Sequence, residues 1–363
     1  MKLGIVGLPN IGKSTIFNVM TNNKAQTSNY MFSTLESNKG IVNVPDERVD
    51  YLYQLYNADK KTFATIEFVD IPGLIKGSNK GEGIGNKFLG DLRQMDALCH
   101  VVRCFDDSDL LHIYGDVDPI RDVETINLEL IFADLEIVER RIERDTKAAK
   151  ANDKQIKEDL KFLEILRDHL MEGMLAKSLK IADEDQNRVI NDLDLITIKP
   201  VIYVANVDED SIVDGNEYSK ALSQYAKNED SEFISLCAKF EEDLASLDVE
   251  ERQIFLDDMG IKETGLKQLI KKSYSILDLM SFLTAGKKEV RAWTIKNNTT
   301  AVKAAGKIHS DIERGFIRAE VFSYDQIVEH GSYAALKEKG LLRVEGKTYI
   351  FKEGDIVLFR FNV

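Results

Sequence analysis

The first fifteen residues constrain the fold more than any other stretch of the chain. An apolar run ends at Val6, and Gly7-Leu-Pro-Asn-Ile-Gly12-Lys13-Ser14-Thr15 then follows the pattern G-x-x-x-x-G-K-[ST]. Between a strand and a helix, this pattern forms a loop whose backbone N–H groups and helix N-terminus bind phosphate oxygens. We therefore predict an α/β fold in which a P-loop NTPase domain has a mostly parallel sheet.

The motif also assigns roles to individual side chains. Lys13 is expected to reach the β- and γ-phosphates of a nucleotide, and Ser14 is expected to offer its hydroxyl to Mg²⁺. The predicted nucleotide contacts of this loop are Asn10, Ile11, Gly12, Lys13, Ser14 and Thr15.

Two later segments have the spacing of the switch regions that sense a γ-phosphate. Thr34 is expected in a loop about twenty residues beyond the phosphate loop, after the polar stretch from Thr21 to Asn29, and Asp70 ends an apolar strand and precedes Ile-Pro-Gly73. We predict that Ser14, Thr34 and Asp70 hold the metal and that the Gly73 N–H contacts the nucleotide. Leu74 cannot orient the attacking water as a glutamine there would, so hydrolysis is slow or another residue supplies that contact.

Two further strand ends are predicted to hold the base. Asn206-Val207-Asp-Glu209 follows one strand, and Cys237-Ala238 follows the next. In GTPases the first motif is Asn-Lys-x-Asp, whose Asp accepts two hydrogen bonds from guanine. Because Glu209 is longer and adenine has no 2-amino donor, we expect relaxed or switched base preference, favouring ATP. The predicted base-side contacts are Asn206, Val207, Glu209, Cys237 and Ala238.

Composition limits the remaining functions. The net charge of −14 argues against a chain that coats nucleic acid, although residues 281–363 carry 14 Lys/Arg against 10 Asp/Glu and are net +4. Three scattered cysteines fit neither a disulfide framework nor a zinc site. No apolar run approaches the ~20 residues that span a bilayer, and the first residues lack a signal-peptide pattern. We expect a soluble, cytosolic protein.

Two regions depart from the α/β pattern. Apolar residues at steps of three and four predict a helical hairpin with coiled-coil character and stripes that pack together: Leu128, Phe132, Leu135, Val138 and Ile142, then Ile156, Leu160, Leu163, Leu166 and Leu170. From Ser281 onward, short strand candidates, including Thr348 to Phe351, predict a small α+β domain. The expected domains are therefore 1–120 with 199–280, 121–198, and 281–363.

Several motifs together resemble the YchF family, the Obg-like ATPases, over essentially the whole chain. They are the phosphate loop, Phe68-Val-Asp-Ile-Pro-Gly-Leu74, Lys80-Gly-Glu-Gly-Ile-Gly-Asn-Lys-Phe88, His100-Val-Val-Arg-Cys-Phe105, Asn206-Val-Asp-Glu209 and the stretch from Arg291 to Ala319. The resemblance implies an OBG-type G domain with a coiled-coil insertion and a C-terminal TGS domain of β-grasp type.

The resemblance also implies an activity. It suggests Mg²⁺-dependent hydrolysis of ATP in preference to GTP, and association with ribosomes in translation or stress regulation, through the helical arm and the TGS domain. His112, in Leu-Leu-His-Ile-Tyr-Gly, matches a histidine proposed to assist catalysis, and Asn10 resembles an asparagine that helps bind K⁺ in related enzymes. We expect a monomer with no membrane partner.

Two alternatives remain open at this point. One is an Obg-type GTPase in which Glu209 still recognises guanine. The other is a binding scaffold for ribosomes or RNA, in which the nucleotide is a structural ligand without significant turnover.

Overall fold

The structure is a computed structural model that describes residues 1–22, 38–71, 84–110, 112–149 and 153–362. Thr34, Gly73 and Leu74, to which the sequence assigned roles, lie outside the described residues. The chain divides into two compact units, one of residues 1–40 and 67–269 and the other of residues 41–66 and 270–363.

The described strands are, in chain order, β1 (Lys2–Val6), β2 (Asn38–Asn43), β3 (Lys61–Thr62), β4 (Thr65–Asp70), β5 (Ala97–Arg103), β6 (Val201–Asn206), β7 (Glu232–Leu236), β8 (Leu279–Ala285), β9 (Val290–Lys296), β10 (Phe316–Ser323), β11 (Arg343–Glu345) and β12 (Asp355–Phe361).

The described α-helices are, in chain order, α1 (Lys13–Asn22), α2 (Glu47–Leu55), α3 (Ile84–Arg93), α4 (Pro119–Ala148), α5 (Lys154–Met171), α6 (Glu184–Asn191), α7 (Glu217–Asn228), α8 (Ala238–Ser246), α9 (Val249–Asp258), α10 (Gly265–Ile276), α11 (Ala301–Ile308), α12 (Ser310–Arg314), α13 (Tyr324–His330) and α14 (Tyr333–Glu338). None of the helices in these described ranges is long and apolar enough to cross a membrane.

The first sheet has the strand order β2-β4-β1-β5-β6-β7. Strands β4, β1, β5, β6 and β7 pair in parallel, which confirms the predicted α/β class. Every residue of β5 is buried, as expected for a central parallel strand covered on both faces. The carboxyl ends of these strands therefore meet at one edge, where ligands bind in open α/β sheets.

The helical region between β5 and β6 buries only part of the predicted stripes. Val138 of α4 packs with Leu163, Leu166 and Leu170 of α5 in one apolar cluster. Leu128 and Phe132, however, are 44% and 56% exposed, so the prediction that they face α5 was wrong. Near its start α4 contacts β5 and α7 as well as α5, and the buried face there contains other residues: Val123, Ile126 and Leu130.

The second unit contains a sheet in the order β11-β10-β12-β8-β9-β3. The predicted strand at Thr348–Phe351 was wrong, since Ile350 forms only an isolated bridge with Thr300. The neighbouring Tyr349 carbonyl instead accepts the Ala301 N–H at the start of α11. Apolar side chains from β8, β9, β10, β12 and α11 form the core of this unit.

Candidate nucleotide-binding site

The phosphate loop lies between β1 and α1, as the sequence predicted. Gly7 and Gly12 have φ values of 154° and 88°, a region that side chains with a Cβ rarely adopt. A Cβ at Gly12 would lie 2.4 Å from the side-chain nitrogen of Asn206, so the loop can pass this close only as glycine. Asn10 is exposed in the same loop with φ 61°, and Ile11 is buried beneath it.

Lys13 and Ser14, at the start of α1, meet Asp70 at the end of β4. The Lys13 ammonium is 3.5 Å from Asp70 Oδ1 and donates to the Ile71 carbonyl at 2.5 Å. Burial lowers the pKa of Lys13, while the charge of Asp70 opposes that shift. The Ser14 hydroxyl donates to Asp70 Oδ2 at 3.4 Å. One cation, one hydroxyl and one carboxylate thus converge beside the loop, as phosphate and metal binding require.

These residues fit a magnesium ion. Asp70 is 9% exposed, and its buried Oδ1 atom, 3.5 Å from the Lys13 ammonium, accepts no hydrogen bond from the residues that the structure describes. An unsatisfied buried carboxylate oxygen is costly unless a cation or an ordered water engages it. Hard oxygen ligands such as the Ser14 hydroxyl and the Asp70 carboxylate are those that Mg²⁺ prefers, usually with several waters retained.

Asn206 joins the phosphate loop to the start of α8. Its Nδ2 donates to the Ile11 carbonyl at 2.9 Å, and its Oδ1 accepts the Ala238 N–H at 2.9 Å. The side chain is 4% exposed, so both bonds are shielded from water. The structure therefore brings together three of the sequence-predicted segments through one amide.

Glu209 opens a short 3₁₀ helix, Glu209–Ser211, that Asp208 caps. Its Oε1 lies 3.6 Å from the Lys239 ammonium, and both side chains are substantially exposed. Val207, which replaces the motif lysine, is buried instead, and its N–H donates to the Leu236 carbonyl. The motif thus offers two exposed carboxylates, Asp208, whose Oδ1 accepts the Ser211 N–H, and Glu209.

Cys237 and Ala238 form the turn between β7 and α8. Cys237 is the N-cap of α8, where its Sγ accepts the Phe240 N–H at 3.5 Å, and burial raises the pKa of its thiol. All three cysteines are buried and free. Cys237 therefore shapes the backbone of this turn, and a raised thiol pKa does not favour nucleophilic chemistry.

His112 lies between β5 and α4, with its side chain 4% exposed. Its Nε2 is 2.9 Å from Asp122 Oδ2, and its Nδ1 accepts the Tyr114 N–H at 3.2 Å. Both ring nitrogens are thus engaged within this segment. A catalytic role for His112 stays a prediction.

The sequence reading missed two residues around His112. Nothing in the sequence singles out Asp122, because an acid in the first turn of a helix ordinarily serves the helix dipole. Arg103, 2% exposed, donates to the carbonyls of Phe105, Asp107 and Leu110 at 3.0, 3.1 and 2.9 Å. The sequence did offer one signal for Arg103: it is a charged residue at the end of an otherwise apolar strand.

Family models match both parts of the chain. A model described as "50S ribosome-binding GTPase" matches residues 2–206. A model named for the C-terminal domain of YchF GTPases, with the description "Protein of unknown function", matches residues 279–362.

Full-length relatives are similar to the chain over nearly all of both sequences. "Ribosome-binding ATPase YchF" of Bacillus subtilis (strain 168) is 50% identical, with 99% of each chain covered. The protein of the same name from Escherichia coli O157:H7 is 44% identical, over 100% of this chain and 99% of its own. The solved structure of the Schizosaccharomyces pombe YchF GTPase superposes with a TM-score of 0.87 at 34% identity, covering 99% of this chain and 97% of that one. The chain belongs to the YchF family.

Proposed function

We propose that this protein is a Mg²⁺-dependent ATPase that binds the ribosome and uses ATP in preference to GTP. The observation that carries the proposal is the convergence of Lys13, Ser14 and Asp70 beside the phosphate loop, where the buried Asp70 Oδ1 lies 3.5 Å from the Lys13 ammonium and accepts no hydrogen bond from the described residues. The curated relatives at 44–50% identity are named ribosome-binding ATPases, which supports both the reaction and the partner.

Each part of the site has a task in this reaction. The backbone of Gly12 to Thr15 binds the phosphates, and Lys13 stabilises negative charge on the β- and γ-phosphates. Ser14, Asp70 and Thr34 hold Mg²⁺, which when bound supplies charge neutralisation across the phosphates. The Gly73 N–H donates to the γ-phosphate. Thr34 and Gly73 lie outside the described residues, so their roles rest on the sequence motif alone.

Base preference follows from Glu209. A carboxylate aimed at guanine must accept from both N1–H and the 2-amino group, and adenine offers neither in that place. The longer Glu209 pairs with Lys239, and this contact favours a carboxylate engaged away from the base. Relatives named ATPases agree with this reading, whereas the fission-yeast structure is titled a GTPase.

His112 acts as the general base that accepts the proton of the attacking water, because Leu74 offers no hydrogen bond. This role needs a free ring nitrogen near the γ-phosphate.

Asn10, exposed in the phosphate loop, contributes to a K⁺ site that raises the rate. In this proposal the helical arm (residues 121–198) and the TGS domain (residues 281–363) contact the ribosome, and the protein works in the cytoplasm as a monomer.

Single-turnover hydrolysis tests this function. Radiolabelled ATP with Mg²⁺ is mixed with excess protein, with and without 70S ribosomes, in K⁺ or Na⁺ buffer. We expect slow hydrolysis that ribosomes accelerate and that His112→Gln reduces. Absence of turnover under every condition would instead favour the scaffold alternative, and equal rates for His112→Gln would remove His112 from the mechanism.

A further inference from the structure

The contact between His112 and Asp122 conflicts with a catalytic histidine in its working position. A general base needs an unprotonated nitrogen whose lone pair can reach the water it activates. In the structure both ring nitrogens are already bonded and the side chain is almost fully buried. The described geometry is therefore a resting arrangement of the residue.

The two hydrogen bonds also fix the tautomer of the ring. Because Nδ1 accepts the Tyr114 N–H, it carries no proton. In the neutral ring the proton is then on Nε2, which donates it to Asp122 Oδ2 at 2.9 Å. The only lone pair suited to accept a proton from water is consequently occupied by a backbone donor.

The surroundings hold Asp122 in place. It lies in the first turn of α4, whose N-cap Asp118 accepts the Ile120 and Arg121 N–H groups. The Arg121 guanidinium is 3.5 Å from Asp122 Oδ1 and 2.9 Å from Asp116 Oδ1. Burial raises the pKa of Asp122, while His112 and Arg121 oppose this shift. Loss of the histidine bond would leave a buried carboxylate oxygen unsatisfied, so the contact resists opening.

The segment that carries His112 is anchored at both ends. Before it, Arg103 fixes the carbonyls of Phe105, Asp107 and Leu110. After it, the Asp118 cap begins α4. Between these anchors, Gly115 has φ 88°, and apart from its chain neighbours none of the described residues comes within 4 Å of where its Cβ would lie. Residues 112–117 can therefore change conformation without unfolding β5 or α4.

We propose that Asp122 is a positioning residue that holds His112 in a resting conformation, and that hydrolysis requires this contact to open. The inference rests on the proposed catalytic role of His112. Ribosome or nucleotide binding would act on the rate by favouring the open conformation, since a binding event shifts an equilibrium only through its preference for one state.

Histidine-selective ¹⁵N NMR of the full chain reads the resting state directly, with His112→Gln to assign the signal. Without nucleotide we expect the Nε2–H tautomer for His112. Addition of Mg²⁺, ADP and aluminium fluoride, which together mimic the transferring phosphoryl group, should change that signal. An Nδ1–H tautomer, or a signal unchanged by the mimic, would overturn the proposal.

Single-turnover ATP hydrolysis without ribosomes measures how the contact between His112 and Asp122 affects the rate. Asp122→Ala should raise the rate about tenfold, because the variant loses a hydrogen bond to a charged group that stabilises only the resting state. The gain should vanish in the double variant with His112→Gln. Asp116→Asn is the matched control, since Asp116 shares Arg121 but is exposed, and its rate should match wild type within experimental error.

The outcomes separate the two proposals. A lower rate in a folded Asp122→Ala protein would overturn the resting-state proposal and make Asp122 an activating partner of His112. Equal rates for wild type and His112→Gln would overturn the catalytic role itself. If Asp122→Ala does not fold, Asp122→Asn replaces it: this variant keeps one acceptor oxygen without the charge and should show a smaller gain, and a loss would contradict the proposal.

Discussion

Arg93, the last residue of α3, forms an ion pair with Asp134 of α4 at 3.1 Å. Asp134 is fully buried and also accepts the Ile196 N–H, the Thr197 N–H and the Thr197 hydroxyl. One carboxylate therefore ties the end of α3 and the segment just before β6 to the middle of α4.

Asp134→Ala should destabilise this junction strongly. Removing one partner of a buried, multiply bonded ion pair costs about 3–5 kcal/mol, because the other donors lose their acceptor. Hydrogen exchange at the amides of Ile196 and Thr197 measures the loss. Glu136→Ala, which removes an exposed pair with Arg140, is the control and should change exchange little. Unchanged protection at both amides in Asp134→Ala would contradict this account of the junction.

Asn206→Ala should weaken ATP and GTP binding alike, since Asn206 shapes the site through Ile11 and Ala238 without selecting a base. Two buried backbone groups would lose their partner, so we expect at least about a tenfold rise in Kd. Titration with fluorescent derivatives of both nucleotides measures it. An effect on one nucleotide alone would show that Asn206 contributes to base selection.

Arg103→Lys should lower kcat with little change in KM. A lysine cannot reach the three carbonyls that the planar guanidinium engages at once, so the segment before His112 loses its anchor. We expect a fall of roughly tenfold in kcat, because misplaced catalytic groups cost about that much or more. Steady-state kinetics with ATP check it, and a rise in KM alone would place the effect on nucleotide binding.

Glu241 should make stability depend on pH. Burial raises the pKa of this carboxyl to about 7, although the Leu266 and Gly265 N–H groups and Arg252 oppose the shift. The folded state therefore binds more protons than the unfolded state from about pH 4.5 to 7, and Glu241 lowers stability as pH rises through that range.

Glu241→Gln should remove this contribution while keeping an acceptor for the Leu266 N–H. The thermal midpoint of Glu241→Gln should exceed that of wild type by more at pH 8 than at pH 5. This change corresponds to at most about 3 kcal/mol of unfolding free energy. Glu242→Gln, on the exposed face of α8, is the control. A parallel pH dependence for wild type and Glu241→Gln would contradict the raised pKa.

Local pattern was sufficient to predict the elements that carry the phosphate loop. The G-x-x-x-x-G-K-[ST] spacing requires a strand before Gly7 and a helix from Lys13, and β1 and α1 have these positions. The buried runs of β5 and β6 were also evident, because strands covered on both faces are almost continuously apolar.

Contacts between distant residues were not predictable in the same way. Nothing in the spacing of Arg93, Asp134 and Thr197 indicates that they meet, since each lies in a different element. The exposure of Leu128 and Phe132 has a similar cause: a helix of 30 residues changes partners along its length, and its buried face changes with them.

The sequence predicts the site residues that belong to a motif. It does not predict contacts that depend on the conformation of a side chain. Lys13, Ser14, Asp70 and Asn206 converge as their motifs require. The resting contact of His112 with Asp122 has no signature in the sequence, because the same histidine could face solvent or phosphate.

The central claim is that this P-loop protein uses ATP, and competition binding tests it most directly. A fluorescent nucleotide bound to the full chain in Mg²⁺ and K⁺ is displaced with ATP or with GTP. We predict that ATP displaces it at the lower concentration and that Glu209→Asp reduces this preference, while Glu242→Asp leaves it unchanged. Clearly tighter binding of GTP by the wild-type chain would contradict the account.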